Sequence, residues 1–307
     1  MNILFVSSGN SQVGISPIVK NQGESLRKQG VEIDYFTIKG KGIKGYLKNV
    51  KPLKQYLKQN QFDIVHAHYS MSAFVASLAG AKPLVVSLMG SDVKSDNYFK
   101  FIIRLFNQFS WSKIIVKSED MKNDLGISKV EIIPNGVDFC MFKPLNQEDC
   151  KTKLSWDKDK TQILFAANPQ RQEKNYKLTI AAFDLLNLNH CELKELVNVP
   201  NDQVSLYHNA ADVVLLTSLW EGSPNVIKEA MACNIPIVST NVGDVRKVIG
   251  KTEGCYLTTF EPEDVADKIK KALAFGKKTR GREDIRHLES SVVAKKIINL
   301  YRKTLDK

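Results

Sequence analysis

Two carboxylates, Glu221 and Glu229, bracket a loop and helix start, Gly222-Ser223-Pro224-Asn225, whose residue types suit recognition of a phosphorylated sugar. The apolar run Val213-Val214-Leu215-Leu216 ahead of them reads as a buried strand. Ser223 suits a helix N-cap, and Pro224 suits the first helical position, where a missing N–H costs nothing. Val226, Ile227, Ala230 and Met231 then recur at helical spacing, which turns Lys228 outward and puts Glu229 near the second turn on the loop-proximal side. A strand–loop–helix start offers unpaired backbone N–H groups and the positive end of a helix dipole to a phosphate. Flanking carboxylates accept hydrogen bonds from ribose and sugar hydroxyls. The ligand implied is a nucleotide sugar. Two glutamates at this spacing arise on many solvated helix faces, so the weight lies on the strand, the loop proline and the helix taken together.

Other residues with chemical potential are weaker. His66 and His68 alternate on a strand, but no carboxylate or thiol accompanies them at coordinating spacing, so no metal site is expected. Asp157-Lys158-Asp159 has the form of a metal-binding D-x-D, yet it stands in a polar stretch before a strand and reads as solvated. The five cysteines are scattered without a C-x-x-C pair, which points to a reduced, cytoplasmic setting rather than a disulfide framework. No signal peptide is expected, since Met1-Asn2 leads directly into the strand-like Ile3-Leu4-Phe5-Val6. A net charge of +11 favours anionic partners. Lys39, Lys41, Lys44, Lys48, Lys51, Lys54 and Lys58 fall in a stretch without an acid, which suggests a peripheral contact with anionic lipid or a lipid pyrophosphate. No nucleic-acid motif accompanies them. The Phe-rich stretch Tyr98–Trp111 reads as core.

These residues must be positioned by elements that alternate strand-like and helix-like along the whole chain, the pattern of an α/β protein with parallel sheets. Strands are expected at Asn2–Ser7, Glu32–Thr37, Asp63–His66, Leu84–Leu88, Lys113–Val116 and Glu131–Ile133, with a helix over Tyr46–Lys58 interrupted at Pro52. Phe142–Lys160 is polar and reads as a linker. The domains expected are therefore 1–150, 151–285, and a basic amphipathic helix in 286–307. In such folds ligands gather beyond the strand C-termini. A nucleotide-dependent oxidoreductase or epimerase using NAD is one alternative, drawing on Asp34 as a ribose ligand at the end of the second strand. The first loop lacks G-x-G-x-x-G, however. A non-catalytic nucleotide- or glycan-binding partner of another transferase is a second.

The segment from Glu221 to Ala232 closely resembles the E-x7-E motif of glycosyltransferase family 4, with Gly-x-Pro between the glutamates and Ala-Met-Ala after them. Asp63-Ile64-Val65-His66-Ala67-His68, the turn Ile133-Pro134-Asn135-Gly136-Val137-Asp138 and the run Ile235-Pro236-Ile237-Val238-Ser239-Thr240 resemble the same family, so the likeness spans nearly the whole chain. It implies a bacterial-type, retaining, metal-independent GT-B enzyme, with two Rossmann-like domains facing across a cleft and a C-terminal helix crossing back to the first. It implies transfer of a hexosyl or N-acetylhexosaminyl group from a nucleotide-diphosphate donor, UDP-linked by preference, to a glycan or lipid-linked acceptor in surface polysaccharide synthesis. No cofactor is implied; the nucleotide sugar is a substrate. By resemblance Arg171 and Lys174 hold the donor diphosphate. Glu221 positions the sugar, and Glu229 binds the ribose. Gly222, Ser223, Pro224 and Asn225 cradle donor groups, and Gly14 and Asp92 lie on the acceptor side. Met89 stands where many members have histidine, and the stretch Leu186–Leu206, where the base is expected, is compressed.

Overall fold

The computed structural model describes residues 1–11, 14–93 and 97–306. The chain divides into two compact units, Met1–Gly136 with Ser290–Lys307, and Val137–Glu289.

In the first unit, β1 (Asn2–Ser8), β2 (Glu32–Ile38), β3 (Ile64–His68), β4 (Leu84–Ser87), β5 (Lys113–Val116) and β6 (Glu131–Ile132) form a parallel sheet in the order β2-β1-β3-β4-β5-β6. The helices are α1 (Pro17–Arg27), α2 (Gly42–Leu47), α3 (Val50–Gln59), α4 (Ser70–Leu78), α5 (Asn97–Phe109) and α6 (Glu119–Leu125). Both sheet faces are covered, so the strands read as near-continuous apolar runs. In β1, Leu4 and Val6 enter the core beneath α2 to α6, and Ile3 and Phe5 enter the core on the other face. The segment read as one helix is two. The break falls at Lys48 and Asn49, where the Asn49 amide donates to the carbonyls of Lys39 at 2.9 Å and Gly45 at 2.8 Å. Pro52 sits in the first turn of α3, where no N–H is needed, and does not interrupt it. Asp34 lies exposed in the middle of β2 rather than at its end.

The second unit contains α7 (Gln147–Lys153), β7 (Thr161–Phe165), α8 (Tyr176–Leu186), β8 (Cys191–Glu195), α9 (Val204–Ala210), β9 (Val213–Leu216), α10 (Asn225–Ala232), β10 (Ile237–Thr240), α11 (Val245–Ile249), β11 (Cys255–Thr258), α12 (Pro262–Phe275) and α13 (Gly281–Asp284). Its sheet is parallel in the order β11-β10-β9-β7-β8. Alternation again fills two cores: Leu164, Val214 and Leu216 face one, and Ile163, Val213 and Leu215 the other.

The division between units falls at Gly136 rather than near residue 150. The presumed linker is part of the second unit: Phe142 is buried in its core, and α7, capped by Asn146 accepting from the Asp149 N–H at 3.0 Å, packs on α9. The other division comes just before α14 (Ser290–Leu305), not at 286. Arg286–Leu288 is still a 3-10 turn of the second unit, with the Leu288 carbonyl accepting from Val137 N–H at 3.0 Å. α14 returns to the first unit and packs against α1, burying Ala294, Ile297 and Tyr301.

Candidate functional site

β7, β9 and β10 are neighbours in the second sheet, so the loops that leave their C-terminal ends lie side by side. Those loops carry Arg171 and Lys174, Glu221, and Asp244. Thr217, just past β9, donates to the carbonyls of Lys174 at 3.0 Å and Asn175 at 3.1 Å, and Leu219 N–H donates to the Glu173 carbonyl at 2.8 Å. These bonds stitch the 3-10 turn Gln172–Lys174 to the Glu221 loop. The Lys174 amine consequently meets Glu221 Oε1 at 2.5 Å, and the Ser218 hydroxyl donates to the same oxygen at 2.8 Å. Both side chains are largely buried, 11% and 14% exposed, so the pair is poorly screened.

Arg171 is placed differently. Its side chain is 58% exposed and pairs with Glu173 rather than turning toward Ser223. The two cations assigned to one diphosphate thus have separate carboxylate partners.

The helix start also departs from its sequence reading. α10 begins at Asn225, Pro224 occupies the cap position, and no side chain caps it. The Ser223 hydroxyl donates instead to Asp244 Oδ2 at 2.6 Å. Lys228 does not point outward. It is 0% exposed and reaches back to Ser223 Oγ and to Asp244 Oδ2 at 3.4 Å. Burial lowers the pKa of its amine, and the Asp244 carboxylate opposes that shift. Gly243 completes the arrangement with φ +56°; a Cβ there would stand 2.7 Å from the Gly222 carbonyl oxygen and 2.9 Å from that of Glu221. The loop after β10 is therefore pressed against the motif loop. Lys228, Gly243 and Asp244 were not singled out from sequence. The one available signal was a lysine in a helix whose neighbours are almost all apolar.

Glu229 is 16% exposed, with Oε2 at 3.5 Å from Nε2 of the fully buried His208 on α9. Asn225 Oδ1, on the first residue of α10, is buried without a hydrogen-bond partner among the described residues. Three carboxylates, two buried lysines, a buried amide oxygen without a partner among the described residues and an open helix start thus share the C-terminal edge of one sheet. That is a set able to bind a hydroxyl-rich, phosphorylated ligand.

The sequence model described as "Glycosyl transferases group 1" matches residues 152–274, and that of "Glycosyltransferase Family 4" matches residues 19–139. The chain is a family 4-like glycosyltransferase. Over 290 residues the transferase is 25% identical to a Bacillus subtilis (strain 168) protein named as a teichuronic acid biosynthesis glycosyltransferase, TuaC, covering 80% of this chain and 75% of that one. It is 26% identical to the Escherichia coli UDP-Gal:alpha-D-GlcNAc-diphosphoundecaprenol alpha-1,3-galactosyltransferase, covering 64% and 62%. Among solved structures, sucrose-phosphate synthase from Thermosynechococcus elongatus superposes with a TM-score of 0.85 at 17% identity, covering 99% of both chains. Anabaena HepE in complex with UDP does so at 0.76 and 17%, covering 99% of this chain and 100% of that one. The fold is GT-B.

In the first unit of the glycosyltransferase, Gly14 has φ +73° and donates its N–H to the Ser11 carbonyl at 3.0 Å; a Cβ would meet nothing, so the glycine serves the turn and not a close contact. Gln12 and Val13 of that loop lie outside the described residues. Asp92 does not present an open carboxylate. It is 0% exposed and accepts from Ser70 N–H at 2.7 Å and Met89 N–H at 2.5 Å, clipping the loop after β4 to the start of α4. Burial raises its pKa against those hydrogen bonds. Asp157 and Asp159 are exposed and bonded to one another through a turn, and among the described residues no cluster could hold a metal ion.

Both strand histidines are buried. His66 shares hydrogen bonds with the Tyr301 hydroxyl at 2.5 Å and Ser87 Oγ at 2.8 Å, tying β3 to α14. Neither ring nitrogen of His68 has a hydrogen-bond partner among the described residues. Burial, reinforced by Lys117, pushes its pKa down from 6.5 to about 3. An unfolded chain protonates this ring near 6.5 and the folded one only near 3, so the unfolded chain binds more protons between those limits and stability is lost as the pH drops through that window. Acidification to about pH 4 is expected to cost about 3 kcal/mol from this ring alone. The loss should shrink in His68→Leu, followed by hydrogen exchange of β1 and β3 amides; an unchanged pH slope in the variant would exclude His68 as the cause.

Proposed function

We propose that the chain is a retaining, metal-independent transferase that moves a hexosyl or N-acetylhexosaminyl group from a UDP-linked donor to a glycan or lipid-linked acceptor in surface polysaccharide synthesis. The observation that carries the reading is the Lys174–Glu221 pair, held at the sheet edge beside Asn225 and Glu229. On this reading Lys174 turns from Glu221 to the departing diphosphate, where negative charge accumulates. Glu221, released, accepts from donor sugar hydroxyls, and Glu229 accepts from the ribose. The backbone N–H groups of Gly222, Ser223 and Asn225 and the Asn225 oxygen orient the rest of the donor, and exposed Arg171 adds a screened, long-range attraction. Retention follows from resemblance to family 4, in which the diphosphate itself helps deprotonate the acceptor. Gly14 borders the acceptor on the same grounds, and Asp92 acts there only by fixing the loop after β4.

The UDP preference draws on the Anabaena structure holding UDP and on the UDP-Gal donor in the name of the E. coli relative, and the lipid-linked acceptor draws on that same name. Surface polysaccharide fits the teichuronic acid synthesis named for the B. subtilis relative. Among the described residues no helix is long and apolar enough to cross a membrane. A cytoplasmic enzyme touching the inner membrane face through Lys39–Lys58 suits a lipid-linked acceptor, and all seven lysines are exposed.

Calorimetry with UDP, GDP and NAD, with and without chelator, tests the donor site. UDP is expected to bind in chelator and to lose about tenfold or more in Glu229→Ala, the scale of a lost charge-assisted hydrogen bond. NAD binding in place of UDP, or a UDP affinity untouched by the substitution, would overturn the site.

A further inference from the structure

α5 does not behave as the core helix its composition suggests. Only one edge faces the sheet, through buried Ile103 and the half-buried Phe99, Ile102 and Phe106. Tyr98, Phe101, Leu105 and Phe109 are 73%, 59%, 44% and 71% exposed. At about 100° per residue these four fall within an arc of about 80°. They form a continuous aromatic stripe, not scattered apolar residues.

The stripe has a charged setting. α2, α3, α4 and α5 pack on one face of the first sheet, with α4 touching α2 and α3 on one side and α5 on the other. These four helices contain no aspartate or glutamate. α2 and α3 carry Lys44, Lys51, Lys54 and Lys58, and α5 carries Lys100 and Arg104. Apolar exposure continues across the layer, with Leu78 51% exposed on α4 and Ile43 68% exposed on α2. Among the helices that follow, acids return at α6, with Glu119 and Asp120, while Asp63, Asp92 and Asp96 fall in the sequence between helices.

We propose that this helix layer docks on an anionic lipid bilayer, with the α5 stripe entering the headgroup region and the lysines of α2 and α3 lying over the phosphates. The occupant follows from complementarity. An aromatic face suits the interface, where rings lose water contact without deep burial. Uncompensated lysines beside it suit an anionic leaflet. A patch meant for a second copy of this chain would set like charges against one another. This deepens the peripheral contact proposed above: there lysines alone touch the membrane, whereas here α5 supplies the insertion.

Sedimentation of the full chain with phosphatidylcholine vesicles, and with vesicles enriched in phosphatidylglycerol, tests the proposal. Wild type is expected to bind the anionic vesicles and to stay partly bound in high salt. Phe101→Ser with Phe109→Ser, which leaves the charge unchanged, should weaken that binding at least about tenfold and make the remainder salt-sensitive. Lys44→Gln with Lys51→Gln should weaken it at low salt. Anionic-vesicle binding unaffected by the phenylalanine substitutions would overturn the insertion while leaving the lysine contact. Failure of wild type to bind either vesicle would overturn both. A wild-type dimer that the serine variant dissolves, without vesicle binding, would assign the stripe to self-association. UDP calorimetry on the same serine variant separates the outcomes, since it should be unchanged whether or not the bilayer proposal stands.

Discussion

Replacing Lys174 by methionine is expected to lower turnover by about a hundred- to a thousandfold, the range for losing one preorganised group opposite developing negative charge. Two effects add. The substitution removes the buried cation assigned to the proposed leaving group. It also strips Glu221 of a partner 2.5 Å away and leaves a carboxylate, only 14% exposed, beside the place where a diphosphate must sit. The second effect makes the prediction separable from a mere packing loss. In Lys174→Met with Glu221→Gln the repelling charge is gone, so nucleotide affinity should partly return while turnover stays low. Arg171→Met should do far less, because that side chain is solvated and shared with Glu173. Steady-state rates and UDP affinities of the three variants decide it. If Arg171→Met costs more than Lys174→Met, the roles of the two cations are reversed.

The contrast between Lys174 and Arg171 shows where sequence reasoning reached and where it stopped. The E-x7-E segment was legible because strand, loop and helix are contiguous, and an apolar run followed by serine, proline and a helical pattern declares its own geometry. The two parallel sheets were legible for a related reason: strands buried on both faces run largely apolar, as Ile3–Val6 of β1, Leu84–Val86 of β4 and Val213–Leu216 of β9 do. β8 escaped notice because it is an edge strand, Cys191-Glu192-Leu193-Lys194-Glu195, with one aliphatic residue and partial burial along most of its length. α5 misled in the opposite direction. Its apolar arc is wider than the sheet can cover, and composition cannot say which half is left outside. Lys228 was invisible for a third reason. Its partner Asp244 follows another strand, and periodicity assigns a lysine outward unless something distant holds it. The limit between units was misplaced because Phe142 and α7 dock onto α9 and its neighbours, a contact between segments far apart in sequence.

Lys228→Met is expected to destabilise the second unit by about 3–5 kcal/mol, the cost of breaking a buried ion pair on one side only. The lysine is fully enclosed and Asp244 nearly so, and Asp244 Oδ1 already lacks a hydrogen-bond partner among the described residues. Removing the amine therefore leaves an almost dry carboxylate answered only by the Ser223 hydroxyl. Asp244→Asn alone should also be costly, since it strands a buried ammonium whose pKa burial already depresses. The double variant Lys228→Met with Asp244→Asn removes both charges and should recover most of the loss, as buried pairs replaced by neutral groups often do. Urea midpoints of the three variants, at matched slopes, measure the coupling; a double variant as unstable as the sum of the singles would show that the two groups act independently. Stability and binding should then part company. Ser223 is held at 2.6 Å by the carboxylate, and through it the pair fixes the loop from Gly222 to Asn225 at the start of α10. With an amide in place of the carboxylate that hold weakens, so the refolded double variant should still bind UDP less tightly than wild type. Recovery of both properties together would confine Lys228 to packing. Recovery of stability alone would show that a charge buried at this cost is retained because it sets the geometry of the donor loop.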